Sequence, residues 1–481
     1  MESRGKITDY LSAIEQFPPE REALVTVRCT VTFGTLTEEA RRIRAEENLV
    51  SVSLPAGSSC TPVSSAAGTA ADTAAPSVPA ASAAPGTSRS TAAPQYLLSP
   101  LKPDGSFSEL ARFIAYSGTR KVPLFLPRDI SLSEECLCTA VPARTAMAVM
   151  TSGSSGRQKL YFRTFESWYD FFPVQNRIFS MGAGTRCFFA GSPAFTGSLN
   201  LVLAQLASGG TVISEELFDP RLWLKRIERD RADVIYLIPS KLRALTEAAG
   251  HPAGSAAHAS PRTFPGVRSI VSGSQSLGKR DAGALRRIFP HAALTLYYGA
   301  SELSYVTYLR GSEMGADPSV IGRPFPGISV RADNAGLLHV TTSFGVTGLP
   351  RDAAIGDLGH RNKNGLWCFD GRADDLLNLR GRKVSAQKVQ NALLSVPGVR
   401  DAAVLLLPAA KDGSAEPVLT AALVLEKADP KKADPLSLRR LLSASLLPFE
   451  IPRRFVLLPE LPKNESGKTD RQSLKKQLQT M

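Results

Sequence analysis

No stretch of this chain stays apolar long enough to cross a bilayer, and the opening MESRGKITDY has no apolar signal-peptide core. The expectation is a cytoplasmic protein with no transmembrane segment. Cysteine is sparse: Cys29, Cys60, Cys136, Cys138, Cys187 and Cys368 form no CxxC pair and join no Cys/His cluster, which argues for free thiols and against a zinc site. Familiar phosphate signatures are missing as well. There is no GxxxxGK(S/T) P-loop and no GxGxxG after a strand, and no GxSxG elbow accompanied by a histidine motif, so serine-hydrolase chemistry is not indicated.

Acidic residues are too few to balance the basic ones: 57 Lys and Arg against 44 Asp and Glu leave a net charge of +13. Such a charge raises nucleic acid or an anionic membrane as partners. The cations lie scattered in pairs and triplets, so no specific nucleic-acid partner is expected, and the cluster Arg380, Arg382 and Lys383 is met equally well by a small phosphorylated ligand or by solvent.

At 481 residues the chain exceeds one hydrophobic core and predicts two or three units. Thr30 to Ala56 reads as a strand, a helix capped by Thr37, and a second strand. From about residue 57 to 94 nearly every residue is Ala, Ser, Thr, Pro or Gly with no periodic apolar face, the composition of a disordered insert. A helix near Phe107 to Tyr116 and a strand near Val122 to Leu126 follow. Residues 147 to 370 alternate short apolar strands with helical stretches, which predicts helix-covered parallel sheets. Beyond Gly371 come a helix (Ala386 to Leu394), a strand pair and a second helix (Leu436 to Leu447). The expected class is α/β, with a large N-terminal domain (1–370) and a small α+β lid (371–481).

The segment Thr151 to Lys159, TSGSSGRQK, combines the features a polyphosphate needs. Gly153 and Gly156 allow tight turns with exposed N–H groups, Thr151, Ser152, Ser154 and Ser155 add hydroxyls, and Arg157 and Lys159 add positive charge. A plain Ser/Gly surface loop has the same composition, so this segment alone does not decide.

Further motifs follow in a fixed order. They are YYGASE (Tyr297 to Glu302), IGRPFPG (Ile321 to Gly327), GDLG (Gly356 to Gly359), GRADDLLNLRGRKV (Gly371 to Val384) and LPKNESGKTDR (Leu461 to Arg471). In this order they resemble the adenylate-forming superfamily of acyl-CoA synthetases, peptide-synthetase adenylation domains and luciferases, from about residue 30 to the C-terminus. The resemblance implies that TSGSSGRQK is the phosphate loop, that Tyr298, Gly299 and Ser301 lie against adenine and phosphate, and that Glu302 is both a catalytic residue and the Mg²⁺ ligand. It implies ribose contacts from Asp357 and Arg372, an adenine-edge segment at Ser274 and Gln275, and a domain hinge at Asp374. Gly381 resembles a close-packed glycine beside a pantetheine tunnel, and Lys468 the mobile catalytic lysine. Residue chemistry agrees with these roles. Attack of a carboxylate on the α-phosphorus of ATP gathers negative charge, which requires pre-placed cations and donors, while Asp357 offers a carboxylate to two hydroxyls from a turn between glycines.

SPAFTGSLN (Ser192 to Asn200) resembles the acyl-pocket motif. Amino-acid-activating relatives carry Asp after its Phe; here Thr196 follows Phe195, which points to an acid without an α-amino group, with Phe195 as a pocket wall or as core. Gln158 stands where Pro is usual, Ser301 where Thr is commoner, and Lys388 and Gln390 where the lid helix usually carries Glu. The implied reaction uses ATP and Mg²⁺ to form an acyl-adenylate from a small carboxylic acid and passes the acyl group to a thiol. Coenzyme A is the first expectation and a carrier-protein phosphopantetheine arm the second; an inactive nucleotide-binding scaffold is the non-enzymatic alternative.

Overall fold

The computed structural model describes residues 7–50, 96–101, 107–127, 130–133, 136, 139–151, 159–250, 262–315, 317–408, 416–425, 434–463 and 469–480. The insert at 57–94, the centre of the phosphate loop (152–158) and Lys468 lie outside these residues.

An eleven-stranded sheet organises the large domain. Its order is Asp357–Arg361, Trp367–Arg372, Val320–Pro324, Ser304–Arg310, Ala293–Ala300, Ser269–Gly273, Val234–Tyr236, Arg186–Ala190, Thr211–Glu215, Glu22–Val25 and Thr30–Thr32. Six neighbours, from Ala293–Ala300 to Glu22–Val25, run parallel, and antiparallel strands extend the sheet on both sides. The parallel strands read as unbroken apolar runs because helices cover both faces; Val234, Ile235 and Tyr236 are all buried. After Arg186–Ala190 the chain builds Thr211–Glu215 on one side and then returns to lay Val234–Tyr236 on the other. The order therefore reverses at these two strands, and in open α/β sheets the crevice beyond the carboxyl ends at such a point accepts ligands.

The helix Thr196–Ala207 starts at that crevice and is buried along nearly its whole length, Leu199 to Leu206, so it runs through the core rather than over it. Each fully buried Leu, Val or Phe contributes on the order of 1.5–3 kcal/mol over the exposed state. A separate cluster formed by Val384, Val389, Leu393, Val404, Leu419, Leu423, Leu438 and Leu442 gives the C-terminal region its own core. That region pairs Val399–Pro408 antiparallel with Pro417–Leu425, adds Arg454–Leu457 in parallel, and packs Ala386–Leu394 and Arg471–Thr480 against Val399–Pro408. Its second helix is Pro435–Leu442, shorter than expected.

One local expectation is corrected. The helix Phe33–Glu46 is capped by Thr32, whose hydroxyl accepts from the Thr35 N–H; Thr37 lies inside the helix, buried, with its hydroxyl donating to Gly34 O at 2.9 Å. The cap thus lies five residues before the expected position, and Phe33, the first helical residue, anchors the helix start in the core at 1% exposure. The strand expected after this helix lies largely outside the described residues. Among the described residues no helix is long and apolar enough to cross a membrane, and Cys29, Cys136, Cys187 and Cys368 are free.

Candidate functional site

In a two-stranded sheet of its own, Thr151 closes the strand Met147–Thr151 and Lys159 opens Lys159–Arg163, and the two residues are direct partners in this antiparallel pair. Across from it, Ala293–Ala300 ends in a turn that carries Ser301 and Glu302, both half-buried. Gly299 sits at a bulge where any Cβ would stand 2.3 Å from Ser304 O, so only glycine lets the strand turn this tightly.

The Glu302 carboxylate is held at one oxygen: Tyr161 Oη donates to Oε1 at 2.6 Å. Burial and this acceptor both push the Tyr161 phenol upward, so it stays protonated and donating. Two residues on, Arg163 is fully buried beneath the turn and donates to Ser301 O (2.6 Å) and Phe344 O (3.0 Å), with its guanidinium 4.9 Å from the Trp168 ring centroid. Burial lowers its pKa, while Tyr10 and Glu302 favour the charged form. Among the described residues no group of three His, Cys, Asp or Glu side chains could hold a metal ion. Glu302 nevertheless fits Mg²⁺ as a hard oxygen ligand if phosphate oxygens and water complete the shell, the usual arrangement for this ion.

A second polar group forms on the antiparallel extension. Asp357 and Arg372 are direct partners across Asp357–Arg361 and Trp367–Arg372, with Arg372 Nε 3.6 Å from Asp357 Oδ1. Tyr298 Oη donates a short hydrogen bond to Asp357 Oδ2. Burial drives the Asp357 carboxyl up to about 6 even though Tyr298 and Arg372 oppose the shift. The turn expected at Asp357 is made by Gly356 instead, at φ +88°; Asp357 itself begins a strand, because pairing with Arg372 is what presents its carboxylate. The Tyr298 ring is tilted against Phe369, with centroids 5.6 Å apart.

Ser274 has φ +69° and is exposed directly after Ser269–Gly273, while Gln275 Oε1 accepts from Ser240 N at 3.2 Å. Phe195 and Thr196 are half-buried at the start of the core helix, and Ser301 Oγ donates to Thr196 Oγ1 at 3.0 Å, so the acyl-motif segment and the Glu302 turn meet directly. One residue further, a Cβ on Gly197 would lie 2.7 Å from Tyr236 Oη and 2.9 Å from Tyr297 Oη, two buried phenols bonded to each other at 2.6 Å. Lys241 reaches the same crevice, where Nζ donates to Ala190 O at 2.7 Å and burial lowers its ammonium to about 8.

Away from this group, Asp374 is exposed between Trp367–Arg372 and Leu376–Leu379 and accepts from Arg372 Nε at 3.1 Å. Gly381 is not close-packed: it turns the hairpin between Leu376–Leu379 and Arg382–Ser385 at φ +78°, and a Cβ there would meet nothing within 4 Å. Backbone conformation, not crowding, demands glycine in this arrangement. Of the basic cluster, Arg380 pairs with Glu416 (2.6 Å) and Arg382 lies over Phe449 (4.9 Å). Lys388, on the lid helix, is bound by both oxygens of Glu450.

Of the expected residues, the structure brings Ser301 to Thr196 and Tyr298 to Asp357; Tyr161, Arg163, Tyr236 and Lys241 were not expected there. No local pattern marks those four, since each is bonded to a partner distant in the chain.

Comparison with known proteins decides the family. A model of the AMP-binding enzyme family matches residues 98–340, and one of the AMP-binding enzyme C-terminal domain matches residues 388–468. The chain belongs to the AMP-binding, adenylate-forming enzymes. It is 25% identical over 368 residues to the uncharacterized acyl-CoA ligase YhfT of Bacillus subtilis, covering 73% of this chain and 72% of that one. It is 26% identical over 375 residues to delta-poly-L-ornithine synthetase of Acinetobacter baumannii, covering 70% of this chain and 26% of that one. In fold it is similar to O-succinylbenzoate coenzyme A synthetase of Bacillus subtilis, solved with ATP and magnesium (TM-score 0.70, 18% identity, 98% of this chain and 99% of that one). The amide bond synthetase McbA of Marinactinospora thermotolerans aligns comparably (TM-score 0.69, 19% identity, 97% and 99%).

Proposed function

We propose that this chain is an acid–thiol ligase that joins a carboxylic acid to coenzyme A through an acyl-adenylate. One oxygen of the acid attacks the α-phosphorus of ATP and pyrophosphate leaves; the pantetheine thiolate then attacks the acyl carbon and AMP leaves. The observation that carries the reading is the meeting of the Glu302 turn with the acyl-motif helix through the Ser301–Thr196 hydrogen bond, at the reversal point of the sheet. This contact sets the groups suited to phosphate beside those suited to the acid.

In this reading Thr151, Ser152, Gly153, Ser154, Ser155, Gly156 and Lys159 cradle the β- and γ-phosphates. Asp357 accepts the ribose hydroxyls, with Tyr298 and Arg372 holding its carboxylate, and Ser274, Gln275 and Gly299 border the adenine. Bound Mg²⁺, held by Glu302, would neutralise charge on the phosphate oxygens. Lys468 adds positive charge between the acid and the α-phosphate during adenylation, after which the C-terminal unit, taken as residues 371–481, turns at Asp374 and brings the Gly381 hairpin to the thiol. Thr196 cannot neutralise an ammonium, and its hydroxyl is engaged by Ser301, which favours a simple alkyl or aryl acid over an amino acid.

The test is acid-dependent ATP–pyrophosphate exchange across alkyl, aryl and amino acids, followed by trials of coenzyme A and a phosphopantetheinylated carrier protein as acceptors. Exchange with an aryl or alkyl acid and AMP-forming turnover with coenzyme A are expected. Exchange with amino acids alone would overturn the substrate assignment, and absence of exchange with every acid would overturn the enzymatic one.

A further inference from the structure

Three segments far apart in sequence are sewn together beneath Glu302. Arg163 donates to Ser301 O and Phe344 O, Val346 N donates to Glu302 O at 2.9 Å, Thr347 N donates to Phe162 O at 2.8 Å, and Tyr161 Oη donates to Glu302 Oε1. Every bond but the last ends on a backbone carbonyl, so these contacts fix where the turn lies; the tyrosine alone fixes where the carboxylate points. A fully buried guanidinium is costly to desolvate without a carboxylate partner, and the Nε of Arg163 takes no partner among the described residues. A leucine or methionine would fill the same space without that cost. The arginine therefore does something that packing does not, and the donors it presents to Ser301 O and Phe344 O are what a hydrocarbon lacks.

We infer that Tyr161 and Arg163, which leave the phosphate loop on one strand, are positioning residues that orient the Glu302 carboxylate toward the metal of Mg·ATP. The inference rests on Glu302 being the metal ligand. The two residues lie on the same face of Lys159–Arg163, two apart, so the strand that emerges from the phosphate loop itself sets the geometry of the carboxylate opposite. Tyr161 occupies Oε1 and leaves Oε2 to the metal; without the phenol the carboxylate is free to rotate, and each metal-binding event must first order it.

The experiment uses the full chain and reads metal binding without turnover. Mn²⁺ is titrated in the presence of ATP and followed by the loss of its free-ion spin-resonance signal, and thermal melting is recorded with and without Mg·ATP. Glu302→Gln, Tyr161→Phe and Arg163→Lys are compared with the unaltered protein. Tyr161→Phe is expected to weaken nucleotide-dependent Mn²⁺ binding about tenfold, the scale of one hydrogen bond to a charged group, and to raise the Mg²⁺ needed for half-maximal pyrophosphate exchange, while the rate at saturating Mg²⁺ changes little. Arg163→Lys, which keeps the charge but has no fork to span two carbonyls, is expected to shift both in the same direction. A purely structural role would lower the melting temperature of the free protein and leave the Mn²⁺ titration unmoved, which would overturn the inference. If Glu302→Gln leaves Mn²⁺ binding unchanged, the metal-ligand reading fails; if Glu302→Gln weakens it and Tyr161→Phe does not, the reading stands and the positioning role fails.

Discussion

The two ends of the six parallel strands are built on opposite principles. At the amino ends, charged side chains tie neighbours together: Asp233 Oδ2 accepts from the Arg186 backbone N–H (2.9 Å), its Oδ1 from Arg268 (2.9 Å), and Arg186 also pairs with Glu22. At the carboxyl ends the chain offers Gly191, Ser192, Ser274, Gln275, Ser301 and Glu302, all small or polar. Side chains at the first end tie adjacent strands to one another, whereas those at the second are held by segments outside the six parallel strands: Gln275 by Ser240, Ser301 by Thr196 and Glu302 by Tyr161. A stable scaffold and the proposed site thus share the same strands, and stability should be separable from chemistry by choosing the end that is altered.

On the proposed function, the largest effect is expected at Lys468. Lys468→Ala should lower acid-dependent pyrophosphate exchange by on the order of 10²-fold or more, the scale of one preorganised donor, while thioester formation from supplied acyl-adenylate is spared. Equal loss in both half-reactions would remove the distinction between the two lid postures.

Asp357 gives the next effect, and it depends on pH. Its carboxyl is raised to about 6, so the native state holds this proton more tightly than the unfolded chain does. The stability this contributes is complete below about pH 4 and is lost as pH rises through about 6. The ribose recognition proposed for it has the opposite need, a charged acceptor, so ATP affinity should weaken several-fold as pH falls below about 6. Asp357→Asn should weaken ATP binding at neutral pH, flatten that dependence and flatten the stability profile between about pH 4 and 6. A titration of ATP binding at pH 5, 6 and 8 in both proteins checks this, and an unchanged slope in the variant would assign the dependence to another group.

At the opposite end, Asp233→Ala should cost about 1–2 kcal/mol in chemical denaturation, mostly from the lost acceptor for the Arg186 N–H, since Arg268 is largely exposed and its ion pair is worth little. Turnover per folded molecule should be unchanged. A drop in kcat with normal stability would contradict the division between the two ends.

The smallest effect is expected at the Gly381 hairpin. Gly381→Ala should destabilise by roughly 1 kcal/mol through its positive φ alone, because the added methyl meets nothing. If this turn approaches the thiol in the second half-reaction, thioester formation will fall while pyrophosphate exchange holds; equal retention of both would leave the glycine a purely conformational requirement.

Much of this architecture was legible in the order of residues. Alternating apolar strands and helical stretches implied the helix-covered parallel sheet, and the Ala386–Leu394 helix with its following strand pair implied the lid. Periodicity and turn chemistry are local, so the chain carries them wherever it folds. Helix ends were read less well: Thr37 looked like a cap by composition, but the cap is Thr32, five residues earlier, and Phe33 anchors the helix start in the core.

By itself the sequence determined the family motifs, the residue types able to meet phosphate, ribose and metal, and the absence of Asp after Phe195. Tertiary structure decided how those residues are held. Asp357 owes its elevated pKa to burial, and its partners to a register that sets Arg372 opposite it. Glu302 owes its orientation to Tyr161, 141 positions away, and its turn to Arg163. Residue type is a covalent property read one position at a time; burial and partnership exist only when distant segments share a volume, which no pattern along the chain records.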